Sequence, residues 1–72
     1  MIYIIANTEL TRQHSRIDLR GRRQSTDGRV MLNEKDLASV MAETYEDKLA
    51  LLSGEEITES DAITELNKEV WK

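Results

Sequence analysis

The chain holds one imidazole, no thiol and fourteen carboxylates, and these set the chemistry open to it. Nucleophilic catalysis needs a nucleophile within reach of a base that a third group orients. His14 stands beside Ser15, with Asp18 four residues on. Residues adjacent in a chain rarely point at one another, and no glycine elbow surrounds the serine. His14 therefore reads as a surface histidine in a polar linker. Without cysteine, disulfides and thiolate metal sites are excluded, and a single histidine removes most zinc schemes. Glu55, Glu56, Glu59 and Asp61 form an acidic cluster that lacks the ligand spacing and glycine of a calcium loop. It reads as helix capping and solubility. Gly21 and Gly28 belong to no strand–glycine turn–helix unit that would cradle a phosphate. The expectation is a protein that is not an enzyme and uses no metal or cofactor.

Arginine forks match phosphate and carboxylate. Arg16, Arg20, Arg22, Arg23 and Arg29 fall within fourteen residues, with Arg12 just before them. Residues 1–30 carry six arginines against three acids, and residues 31–72 carry four lysines against eleven acids. One reading of this asymmetry is that the two parts attract each other within a single fold. Another is that the arginines contact an acidic partner or nucleic-acid phosphates. Against the nucleic-acid reading, the chain as a whole has a net charge of −4, and no aromatic is interleaved with the arginines for base stacking. A helix-turn-helix over Leu32–Leu49 would turn Glu46 and Asp47 toward the backbone phosphates, which disfavours it.

The elements that position these residues follow from periodicity. Ile2-Tyr3-Ile4-Ile5 is apolar on both faces, as in a covered central strand. On an edge it would instead add to a partner's sheet or to its own copy, which makes Ile2 and Ile4 candidate interaction residues. Residues 8–15 are ambiguous, with Asn7 or Thr8 able to cap a short helix. Arg16-Ile17-Asp18-Leu19-Arg20 alternates with period two, and Asp27-Gly28 signals a turn before Arg29-Val30-Met31-Leu32. This predicts a basic hairpin of about 16–20 and 29–32, with its arginines near the tip.

Asn33 is set to cap a helix opened by Glu34 and Asp36, with Leu32 and Leu37 spaced as a hydrophobic staple. Apolar spacing carries that helix to about 53, where Gly54 fits the C′ position. Thr44-Tyr45-Glu46-Asp47 is a second cap-like pattern that would split it in two. Thr58 caps a further helix over about 59–71, stapled by Ile57 and Ala62. Residues 54–58 then read as a short link in an antiparallel helical hairpin. Tyr45 and Trp71 are anchor-type side chains if exposed, and core caps if not.

The fold expected is therefore α+β. A short N-terminal strand and a basic β-hairpin pack against a two-helix C-terminal hairpin. The 72 residues make one domain, β-rich and arginine-rich to about 32 and helical and acidic beyond. No apolar run approaches the roughly 20 residues of a membrane span. The opening Met1–Ala6 lacks the basic flank of a signal peptide. With no cysteine, a reducing, cytoplasmic setting is expected. A domain this short buries only roughly 60–65% of its unfolded surface, so self-association or a partner is a natural supplement. The favoured function is non-catalytic protein–protein interaction or regulation, with homo-oligomerisation as one form. The alternative is a small nucleic-acid-associated regulator contacting phosphates through the arginine hairpin.

Overall fold

The β-branched run after Met1 becomes the middle strand of a three-stranded antiparallel sheet. The computed structural model describes residues 1–71. Strand β1 (Ile2–Asn7) leads into helix α1 (Thr8–His14), and a 3-10 turn follows at Leu19–Gly21. Strand β2 (Arg29–Asn33), a 3-10 segment at Glu34–Ser39 and helix α2 (Tyr45–Leu52) come next. Strand β3 (Glu55–Thr58), helix α3 (Glu59–Leu66) and a 3-10 turn at Glu69–Trp71 complete the order. The sheet runs β2-β1-β3. Ile4 pairs with Leu32 on one side and Glu56 on the other, and Tyr3 with Asn33 and Ile57. The architecture is α+β, with strands packed against helices.

Strand alternation sends successive β1 side chains to opposite faces, and both faces are covered. On one face Ile4, Ala6, Val30 and Leu32 meet Leu37, Val40 and Leu52, with Leu49 and Leu51 of α2 packed around them. On the other, Ile5 and Met31 meet Ala62 of α3 and Trp71. The sheet is thus a middle layer, with α2 and α3 on opposite sides of it. No helix among the described residues is long and apolar enough to cross a membrane.

Three details depart from the sequence-based expectation. Residues 16–20 form no strand. Leu19 is buried and Ile17 packs against the core, so the alternation is real, but it is carried by a loop. The basic hairpin forms further along. Gln24 bridges Val30, the Met31 N–H donates to Arg23 O at 2.9 Å, and the Ser25 N–H donates to Arg29 O at 2.8 Å. Gly28, at φ +85°, closes the turn in a conformation that glycine adopts without steric cost.

Second, the helix expected over 34–53 is split. Asn33 and Asp36 form a reciprocal capping box that opens the 3-10 segment. On such a segment residues three apart eclipse, which brings Leu37 and Val40 into the core together. Thr44 then caps α2 by accepting from the Asp47 N–H at 3.1 Å. The left-handed residue at the end of α2 is Ser53 (φ 50°), not Gly54. Gly54 is needed for closeness instead, because a Cβ there would lie 3.0 Å from Ile4 Cγ2 and 3.2 Å from Leu49 Cδ2.

Third, residues 55–58 are a strand rather than a bare link. Thr58 caps α3 as expected, accepting from the Asp61 N–H at 3.2 Å. The helix ends at Leu66, and a 3-10 turn brings Trp71 back onto the sheet.

Candidate functional site: an open sheet edge beside an internal arginine clasp

The hairpin arginines are turned largely onto the protein itself. Arg22 Nη2 lies 2.7 Å from Asp36 Oδ1, whose side chain is only 11% exposed. Arg23 donates to the carbonyl oxygen of Trp71 at 3.0 Å. The Arg29 guanidinium sits 5.3 Å from the centre of the Trp71 ring and pairs with Asp27 and Glu65. The backbone joins in, since the Thr26 N–H donates to Val70 O at 2.7 Å. The contacts to Glu65, Val70 and Trp71 form a clasp that holds the segment after α3 against the sheet, and the Arg22–Asp36 pair ties the same loop to the 3-10 segment after β2.

Glu65 is the hub of that clasp. It accepts from the Trp71 indole N–H at 3.0 Å and from Lys68 at 3.1 Å. The Trp71 hydrogen bond, then that of Lys68, holds its carboxyl below the usual glutamate value. Asp27 is held low in the same sense by Arg29 and then Ser25. Of the five arginines singled out around the hairpin, Arg16, Arg20 and Arg23 are exposed, and Arg22 and Arg29 are half-buried. The Arg20 side chain is 93% exposed and pairs with Asp18, whose carboxyl it holds low.

The apolar candidates divide. Ile4 (0% exposed) and Trp71 (1%) are core residues and present nothing to a partner. Ile2 is half-buried against the first core cluster. β1 is paired on both sides, so Ile2 and Ile4 are not on a free edge and the strand-addition role expected of them is corrected. Tyr45 is 38% exposed at the start of α2, and its hydroxyl donates to Glu56 Oε2 at 3.0 Å. Burial, and then the Glu56 carboxylate, raise the Tyr45 pKa.

The sheet has two edges, and they are treated differently. The outer edge of β2 is taken by residues 23–25 through the hydrogen bonds given above. The outer edge of β3 pairs with nothing among the described residues. Residues along an antiparallel strand turn alternately toward and away from a neighbour. Two of the four residues Glu55–Thr58 therefore direct their N–H and C=O groups outward. Glu55 and Glu56 are exposed, and Ile57 is half-buried beside Tyr3. Ile63 on α3, which follows β3 directly, is 58% exposed. Sequence reasoning missed this edge, because Glu-Glu-Ile-Thr carries no alternation and opens on two glutamates, which are depleted in strands.

Chemistry of other kinds finds little geometry. The Ser15 hydroxyl donates to Thr11 O at 2.6 Å, closing the end of α1 rather than facing His14. Among the described residues no group of three or more His, Asp or Glu side chains is placed to hold a metal ion. A shallow groove of about 400 Å³ is lined by Met1, Ile2, Asn33, Glu34 and Lys35. No protein-family model, curated protein or solved structure matches the chain.

Proposed function

We propose that the protein is a non-catalytic interaction module that binds another protein through the β3 edge of its sheet. The observation that carries this reading is the asymmetry of the two edges. The chain covers β2 with its own residues 23–25 and, among the described residues, leaves β3 unpaired on its outer side. An unpaired strand presents fixed donors and acceptors that an extended segment of a partner can satisfy. The nucleic-acid reading loses support because Arg22, Arg23 and Arg29 are occupied by Asp36, Trp71 and Glu65.

A photo-crosslinking side chain at position 55 tests it, with the same group at position 9 on α1 as the control. Capture of a discrete protein at 55 and not at 9 is the expected result. The proposal fails if neither position captures protein while nucleic acid co-purifies with the chain, leaves as salt rises, and is lost on Arg16→Ala/Arg20→Ala.

A further inference from the structure

We infer that the partner segment at β3 is an extended strand with two adjacent basic residues beside an apolar one. This rests on the protein-binding reading above and specifies the chemistry of the occupant. A strand laid along β3 places one of its residues opposite each of Glu55, Glu56, Ile57 and Thr58. Successive residues face opposite sides of the sheet. Glu55 shares a face with Ile57 and the Trp71 cluster, and Glu56 shares the face of Ile4 and Tyr45. One carboxylate therefore stands on each face, and only two consecutive basic residues neutralise both. The next position lies opposite Ile57, beside Tyr3, where an aliphatic residue extends the apolar surface.

The same acids argue against a second copy of this chain as the occupant. Pairing β3 with another β3 would gather four carboxylates in one short two-stranded contact, and like charges across strands are destabilising. Edge strands are often kept from aggregating by shortness and charge. Here that protection is selective, because a basic strand converts the repulsion into attraction. A four-residue edge with two outward-facing residues supports four backbone hydrogen bonds at most. The contact is accordingly a weak and reversible one whose selectivity comes from charge.

The test is titration of the full chain with short blocked peptides, read by amide NMR shifts. One peptide carries lysine-arginine-valine flanked by threonines, and one carries glutamate-glutamate-valine. Two further copies of the basic peptide are N-methylated at alternate positions. The basic peptide is expected to shift the Glu55–Thr58 amides, to weaken as salt rises, and to lose binding on N-methylation in one of the two registers only. Glu55→Lys/Glu56→Lys should weaken the basic peptide about tenfold and admit the acidic one, from cross-strand charge pairs of ordinary strength. Circular dichroism of that variant checks that it stays folded, and the acidic peptide's gain of binding cannot come from unfolding.

Binding that is equal for both N-methylated registers overturns strand addition, as does binding of the acidic peptide to the unaltered chain. If no peptide binds while position 55 still crosslinks to a protein, the basic-strand inference fails and the protein-binding reading stands. A chain that instead dimerises through β3, seen as a doubled solution mass with copy-to-copy crosslinks at position 55, also overturns it.

Discussion

Replacing Trp71 by alanine tests whether the clasp holds a core residue or a loose tail. The ring is 1% exposed and completes the cluster of Ile5, Met31 and Ala62, with Tyr3, Ile57, Leu66 and Val70 packed around it. Truncating a large buried aromatic costs about 3–5 kcal/mol through lost transfer energy and the cavity left behind. A domain of this length has a total stability of roughly 4–11 kcal/mol. The substitution thus removes a large share of it. With a urea dependence of about 1 kcal/mol per molar for a small protein, the midpoint should fall by about 3–5 M, or the chain should be unfolded without denaturant. Unfolding is followed by far-ultraviolet circular dichroism, because the only indole is gone. Trp71→Phe keeps most of the buried area but loses the N–H donated to Glu65, so its loss should be smaller than that of alanine. Ile63→Ala, at an exposed position on α3, is the surface control. A midpoint shift for Trp71→Ala no larger than that control would refute the packing described.

Other outcomes follow from single contacts. Gly28→Ala and Gly54→Ala should each destabilise by about 1–2 kcal/mol for different reasons, seen in denaturant midpoints: backbone strain at Gly28, where the space is open, and overpacking against Ile4 and Leu49 at Gly54. Thr8→Val should raise stability by about 0.5–1 kcal/mol, because the Thr8 hydroxyl is buried without a hydrogen-bond partner among the described residues and a methyl in its place needs none. Glu65 has its folded-state pKa lowered, so its contribution is present above the ordinary glutamate value of 4.5 and is lost as pH falls through the lower folded value. Trp71 fluorescence should accordingly report loosening of the clasp on acidification below that value, and Glu65→Gln should remove this part of the pH dependence.

Local signals in the sequence translated directly into structure. Asn33, Thr44 and Thr58 each accept the N–H three residues on, because capping depends only on a side chain and the turn it begins. The apolar character of both faces of Ile2–Ile5 pointed to a covered strand, and β1 is central. What escaped was set by distant partners. Residues 55–58 are a strand because β1 has a second side to satisfy, a fact about residues some fifty positions away. Ile17 and Leu19 alternate as a strand does, yet β1 rather than residues 16–20 takes the hydrogen bonds of β2. The arginines announced carboxylate or phosphate but not which carboxylate, and Asp36 and Glu65 were chosen by tertiary packing. The candidate edge was illegible for the same reason as β3 itself.

The central position of β1 also sets a timetable for assembly. β1 is made first, yet its two neighbours arrive at residues 29–33 and 55–58. At roughly 5–20 residues per second, about 3–10 s separate synthesis of Asn7 from that of Thr58. Through that interval an Ile-Tyr-Ile-Ile segment has at most one side paired. Both of its pairings also span long stretches of chain, which slows folding even after release. The growing chain is therefore most prone to aggregate before β3 emerges. A truncation ending at residue 54 should remain bound to chaperones or be degraded, although it retains β1, β2 and every residue of the larger core cluster.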